Sequence, residues 1–359
     1  MDWKSFFHKS RVYPVVLILC CYAYYLYHSG KKDDQTQVVK VNDVSLIYVK
    51  GKTMGEIAYQ VIYRDNEERD FSKGVDSVLK AFNEVFSTYI PSSEISKFNQ
   101  ADSSTYVSNQ FMQVWKSAKE IYKKTDGAFD PTVMPLVNAW SFGYTEKTYK
   151  KPDQQKIDSI KQFVGMSLID GKGSLLKKKY PKVQLDFSAI AKGYACDVII
   201  NYLKNKSIQN AFVEIGGEIA TTGKKFDNRP WYAGIRKPYK GNKEPQLAVK
   251  LEGKAIATSG NYENNYYDKK ADEYYSHTID PHTGGQIKSN ILSASIVAPT
   301  CMEADALATA SMVMGLSKSI SVIESMPHVE ALFIYADSGE KKSKMTSGFE
   351  SLTVTIDGK

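Results

Sequence analysis

A chain of 359 residues with 42% hydrophobic and 24% charged residues has the composition of a folded globular protein and the length for one large domain or two modest ones. Its formal charge of +7 comes from lysines scattered through loop-like stretches, without an Arg-rich, aromatic-interleaved stripe, so nucleic acid is not expected as a partner. Of 4 cysteines, Cys20 and Cys21 sit in an N-terminal apolar run and only Cys196 and Cys301 lie in the body, which excludes a disulfide framework and a cysteine zinc site.

Lys4, Lys9 and Arg11 precede the uncharged, aromatic-flanked run 12–27 (VYPVVLILCCYAYYLY). Positive charge before such a run sets the N-terminus on the cytoplasmic side and the body across the membrane. Three readings stand: an uncleaved helical anchor, a cleaved signal peptide, and lipid attachment at Cys20 or Cys21. No small-residue cleavage site is evident, which favours anchorage over release. Residues 1–28 are therefore expected to be a membrane anchor, 29–42 a polar tether, and 43–359 a single folded domain.

The domain opens with expected strands at 45–49 and 55–63, the second placing Ile57, Tyr59, Val61 and Tyr63 on one face. Val75, Val78, Leu79, Phe82, Val85 and Phe86 recur at helical spacing through 71–89, and Pro91 stops that helix. A short helix or turn is expected at 92–99. A second amphipathic helix covers 109–125, with Phe111, Val114, Trp115, Ala118, Ile121 and Tyr122 as its stripe. Segment 127–143 carries two prolines and two glycines and reads as a structured loop with broken helix; 151–164 reads as a polar-faced helix. VQLDF at 183–187 reads as a strand, with Ser188 capping a helix that runs on through Tyr194, Val198 and Leu203. Segments 211–215 and 218–222 form a hairpin about Gly216-Gly217. Further strands are expected at 231–236, 246–251, 255–259, 274–279 and 331–335, a helix at 318–324, and a β-ending at 352–356.

Two stretches carry chemistry. In the first, Asp186 ends a strand and Lys192 lies at the start of the following helix, a junction whose free N–H groups and ammonium suit a phosphate. The alternative is a local Asp186–Lys192 ion pair. Gly193 allows another group to approach this helix closely. In the second, 276–315, His277 precedes a turn at 280–284, a Ser-interleaved strand at 291–298 and a helix opened by a Thr300/Glu303 capping box and closed by Gly315. That helix is apolar nearly all round and so is expected to be buried, yet it carries Asp305 and Thr309 on one face. A buried carboxylate needs a cation or several donors. Asp with a Thr hydroxyl is a hard oxygen pair that suits Mg2+; distant backbone N–H groups or an Arg are the other solution.

Taken together, these pieces resemble the ApbE family of flavin transferases. The matching stretches are Thr53-Met54-Gly55, Ala139-Trp140-Ser141-Phe142-Gly143, 185–193 (LDFSAIAKG), Glu214-Ile215-Gly216-Gly217-Glu218, Thr258-Ser259-Gly260-Asn261-Tyr262, 276–284 (SHTIDPHTG) and 302–309 (MEADALAT). The resemblance implies an α+β (mixed α/β), T-fold-like body with mixed sheets and packed helices. It implies FAD as substrate, with flavin contacts on Met54, Trp140, Ser141, Phe142, Asp186, Lys192 and Thr278, and Mg2+ held by Asp305, Thr309 and the backbone carbonyl of Ala189. The implied reaction passes FMN from FAD to a Ser or Thr hydroxyl of a target flavoprotein, such as a respiratory NADH:quinone reductase-type subunit, and releases AMP. His277 is then the expected general base. A flavin-trafficking protein without transfer and a Mg2+-dependent FAD pyrophosphatase are the rival readings. The resemblance also implies an inner-membrane protein with its domain on the periplasmic side. One departure is local: the turn reads DPHTGG, with His282 and Gly285, where the family has DPRTG and a large residue.

Overall fold

The computed structural model describes residues 35–41, 43–145, 151–225, 228–236, 245–260, 265–268, 273–287, 289–338 and 340–354. The expected anchor at 1–28 and the motif residues Asn261 and Tyr262 lie outside them. Among the described residues no helix is long and apolar enough to cross a membrane.

One sheet organises the domain. Its nine strands run in the order β1 (Thr36–Val41), β2 (Val44–Thr53), β3 (Ile57–Arg64), β7 (Ala211–Ile215), β8 (Glu218–Thr222), β11 (Ala255–Gly260), β14 (Ile291–Ala298), β15 (Glu330–Asp337) and β16 (Glu340–Met345). The other strands make small ladders: β4 (Ser104–Tyr106), β6 (Leu175–Lys178) and β5 (Ile169–Lys172); β17 (Thr353–Val354), β10 (Pro245–Leu251) and β9 (Trp231–Arg236); and the pair β12 (Asn265–Asp268) and β13 (Glu273–Ser276). Each described ladder is antiparallel, where mixed sheets were expected. The short turns joining β1 to β2, β2 to β3, β7 to β8 and β15 to β16 allow nothing else, because a parallel neighbour needs a long crossover.

Period-two alternation along the central strands sends side chains into two separate cores. Val213, Ala220, Ala257, Ile296 and Phe333 face a helical layer, whereas Phe212, Ile219, Ile256, Val297 and Leu332 face the small β17-β10-β9 sheet and its Trp231, Val249 and Leu251. Six buried positions in succession on β14, Ser293 to Ala298, mark it as covered on both faces. The helical layer holds α1 (Ser72–Phe86), α2 (Glu94–Gln100), α3 (Asn109–Lys124), α6 (Ser188–Asn205), α7 (Cys301–Met314) and α8 (Leu316–Glu324). Two further helices, α4 (Met134–Ala139) and α5 (Gln154–Lys161), build a satellite core around Leu136, Trp140, Ile157 and Ile279.

Four local expectations are corrected. Residues 36–41 of the expected tether form β1, in register with β2 from Thr36↔Val49 to Val41↔Val44; the Thr and Val content of the segment favours a strand despite its interspersed Gln and Lys. Segment 183–187 is not a strand. The Asn99 side chain clamps its backbone instead, accepting from Leu185 N–H at 2.7 Å and donating to the Leu185 carbonyl at 2.9 Å, while Asp186 N–H donates to Pro131 O at 2.7 Å. Ser188 is the first residue of α6 rather than its cap, and its N–H is taken by Asp186 Oδ1 at 2.8 Å, which puts Lys192 in the second turn. The strand expected at 274–279 ends at Ser276, so His277 and Thr278 leave the ladder and face other structure.

Candidate active site

The densest chemistry lies where α6 meets α7. A Cβ on Gly193 would sit 2.2 Å from the Cys301 carbonyl oxygen and 2.8 Å from Asp305 Cβ, so only glycine allows the two helices to close to this distance. Asp197, one turn further along α6, accepts from the N–H groups of Cys301 and Met302, each at 2.9 Å, and caps the start of α7. Burial raises its carboxyl to about 6, with the two backbone bonds acting in the opposite sense. Cys196 and Cys301 are buried free thiols at the same crossing.

This packing sets Asp305 against the opening turns of α6. Asp305 is 3% exposed, and its Oδ2 accepts the Gly193 N–H at 2.9 Å. The helical partner of that N–H is the carbonyl of Ala189, four residues earlier. Asp305 therefore competes with Ala189 for one donor, which brings the carboxylate and that carbonyl into one neighbourhood. Thr309, one turn on from Asp305, shares a hydrogen bond of 3.0 Å with Ser259 Oγ on β11.

Lys192 completes the cluster, but its partner is not Asp186. Its Nζ donates to Oε1 of Glu218, the first residue of β8, across the Gly216-Gly217 turn. Burial alone would lower the Lys192 ammonium, yet the charges of Asp305 and Glu218 outweigh burial and hold it above its ordinary value. Burial raises both carboxyls, Asp305 and Glu218, and Lys192 offsets part of that. Glu218 Oε2 is buried with no hydrogen-bond partner among the described residues. Asp186 is likewise raised by burial, against its bonds to Ser188.

A cavity of about 430 Å³ opens over this cluster. Of the residues named from the sequence, Phe142, Asp186, Ala189, Lys192, His277, Thr278, Asp305 and Thr309 line it, and the rings of Phe142 and His277 meet edge to face at 6.4 Å between centroids. Three expected contacts are not in the lining. Trp140 is buried as scaffold, its indole N–H donating to the Gly284 carbonyl at 2.9 Å and so fixing the 280–285 turn behind His277 and Thr278. Ser141, at φ +66°, is the buried kink that redirects the chain so that Phe142 points inward. Met54 sits at φ +50° in the β2–β3 turn, packed on the core; that turn runs beside Gly216, where an added Cβ would meet Ile57 Cγ2 at 2.8 Å. His282, the departure in the turn, places Nδ1 3.2 Å from Asp280 Oδ1 and Nε2 2.9 Å from the Asp126 carbonyl, tying the turn to the end of α3.

Sequence reasoning passed over Asp197 and Asn99, and quoted Glu218 only as the end of a family-matching stretch, without a role. Glu218 had one local signal, a carboxylate opening the otherwise uncharged strand EIATT directly after Gly-Gly. Asp197 and Asn99 act on backbone 104 and 86 residues away, which no local pattern reveals.

Among the described residues, a cavity over an antiparallel α+β domain that gathers an ammonium, two buried carboxylates and an imidazole has the make-up of an enzyme active site. The chain belongs to the ApbE family, whose model matches residues 53–333. It is 35% identical over 307 residues to a Vibrio cholerae FAD:protein FMN transferase, covering 84% of this chain and 91% of that one. It is 34% identical over 326 residues to the Haemophilus influenzae FAD:protein FMN transferase, covering 87% and 93%. Among solved structures, the flavin transferase ApbE from Vibrio cholerae superposes with a TM-score of 0.78 at 34% identity, over 86% of this chain and 99% of that one. The apo flavinyl transferase ApbE of Pseudomonas stutzeri gives a TM-score of 0.77 at 29% identity, over 89% and 98%.

Proposed function

We propose that this chain transfers FMN from FAD to a Ser or Thr hydroxyl of a target flavoprotein and releases AMP, with Mg2+ as its cofactor. The observation that carries the reading is the convergence of Lys192, Asp305, Thr309 and the start of α6 with His277 on one cavity. The names of the relatives, FAD:protein FMN transferase, support the substrate and the group transferred.

The donor set suits a small dication. Among the described residues no group of three His, Cys, Asp or Glu forms a metal cluster, but a carboxylate, a hydroxyl and a carbonyl are hard ligands that leave room for phosphate oxygens. Asp305 uses one carboxylate oxygen on Gly193, and Glu218 Oε2 is an orphaned buried acceptor, so the site carries more negative charge than its own donors satisfy. Asp305, Thr309 and the Ala189 carbonyl would hold Mg2+, which when bound neutralises the diphosphate and the phosphate of the departing AMP.

The chain's own groups then do the rest. Lys192, on the cavity wall, orients the diphosphate. The acceptor oxygen attacks the phosphorus on the FMN side, and the bond from that phosphorus to the bridging oxygen breaks. AMP leaves with the bridging oxygen, while the hydroxyl proton passes to His277. Positioning and charge neutralisation carry most of the acceleration in such a transfer. The apolar run 12–27 and the basic residues before it support a membrane-anchored protein with this domain on the periplasmic side.

Incubation with FAD, Mg2+ and a purified candidate acceptor tests the reading by mass spectrometry. The expected result is one covalent FMN on a Ser or Thr of the acceptor with an equal amount of AMP. Asp305→Asn should fold and lose the Mg2+-dependent product. Free FMN beside an unmodified acceptor would mean that water replaces the hydroxyl. FAD bound and unchanged would mean a carrier.

A further inference from the structure

Charge at the cavity does not balance. Asp305 and Glu218, each 3% exposed, share the single ammonium of Lys192. No other Lys or Arg among the described residues lines the cavity, whereas Asp130 and Asp186 add two more carboxyls to its wall. The ligand of the proposed reaction brings a diphosphate, itself anionic, into this surplus of negative charge. Asp305 has an assigned task in that reading. Glu218 has none: Oε1 holds Lys192, and Oε2 has no hydrogen-bond partner among the described residues although the residue is buried. A buried carboxylate with one oxygen unsatisfied is costly to keep even when its charge is paired, and apolar packing at the first position of β8 would have been the cheaper solution.

We propose that Glu218 is a positioning residue that makes FAD binding conditional on the dication. It fixes Lys192 at the cavity wall and at the same time cancels the Lys192 charge, so the diphosphate finds no net attraction until Mg2+ arrives. Without Glu218 the ammonium alone would attract the diphosphate, and FAD would bind unproductively in the metal-free state. The inference rests on the reading that Asp305 and Thr309 hold Mg2+. It concerns coupling between two ligands, which by linkage is a ratio of affinities measured with and without the partner.

The test is equilibrium titration of FAD, without acceptor, into wild type, Glu218→Gln and Glu218→Asp, in EDTA and in saturating MgCl2, in mildly alkaline buffer. Gln keeps an oxygen to accept from Lys192 Nζ, removes the charge and sets an NH2 group where Oε2 stood. In wild type, Mg2+ is expected to tighten FAD binding by roughly 5–150-fold, the usual range of coupling between sites. In Glu218→Gln the EDTA affinity should rise and the Mg2+ enhancement should shrink by roughly tenfold. Glu218→Asp, which keeps the charge, should retain most of the enhancement. A residue of merely structural importance would weaken FAD binding in both buffers and leave the ratio alone; that result overturns the inference, as does equal EDTA affinity in wild type and Gln variant. If wild type itself shows no Mg2+ enhancement, the metal assignment fails along with it. Should the Gln variant not fold, Lys192→Met provides the converse: removing the ammonium should enlarge the Mg2+ enhancement, and an unchanged or smaller ratio overturns the inference.

Discussion

Substituting Gly193 by Ala tests whether the α6–α7 contact creates the site. In a helix interior this change ordinarily gains about 1 kcal/mol through propensity. Here the new methyl would stand 2.2 Å from the Cys301 carbonyl oxygen, 2.6 Å from its carbon and 2.8 Å from Asp305 Cβ. The first two are backbone atoms of α7's first residue, pinned by the Asp197 bonds to Cys301 and Met302, so they cannot turn aside as a side-chain tip would. Overpacking of this kind costs about 1–3 kcal/mol. Separation of the helices also lengthens the Gly193 N–H bond to Asp305, and loss of a hydrogen bond to a charged group costs about 1.5–3 kcal/mol. After the propensity gain, a net destabilisation of about 1.5–5 kcal/mol is expected. Urea unfolding followed by tryptophan fluorescence measures it directly, and titration of Mg2+-dependent FAD binding in the same variant reports the displaced Asp305. A Gly193→Ala protein as stable as wild type, with unaltered FAD binding, would refute the close-packing argument.

His277→Ala should lower the transfer rate by roughly 10²–10⁴-fold, the range for a general base, while FAD affinity and Mg2+ dependence stay near wild type; a large loss of FAD affinity would instead mark His277 as scaffold. Asp197 gives a pH prediction. Its carboxyl stands at about 6 in the fold against 3.8 ordinarily, so the folded chain holds that proton the more tightly. Its contribution to stability is therefore fully present below 3.8 and lost as pH rises through about 6. Asp197→Asn should flatten the stability profile across that window, as read from urea midpoints, and an unchanged profile would show that another group titrates there.

Much of the framework was legible because it is written in local patterns. The Gly216-Gly217 hairpin, β14 and the Thr300-capped helix α7 all follow from turn chemistry, strand composition and capping, which act within a few residues. Asp305 and Thr309 were visible for the same reason: a carboxylate on an otherwise apolar helix contradicts its surroundings, and helical spacing fixes its neighbour. Segment 183–187 was misread because VQLDF has strand composition, while its hydrogen bonds go to Asn99 and Pro131 rather than to a ladder. β16 went unread for the opposite reason, since EKKSKM has no apolar alternation and exists as a strand only because β15 pairs with it.

Sequence alone determined which side chains were chemically out of place: a buried Asp with a Thr one turn on, a Lys at a helix start, a His before a tight turn. Tertiary structure decided their partners. Lys192 has Asp186 close by in sequence, yet pairs with Glu218, 26 residues away on another element. Gly193 meets Asp305 across 112 residues, and Trp140 props the 280–285 turn across 144. These pairings depend on where an antiparallel sheet sets down its helices. Periodicity reports only which face of an element is buried, and a buried face carries no record of what will be packed against it.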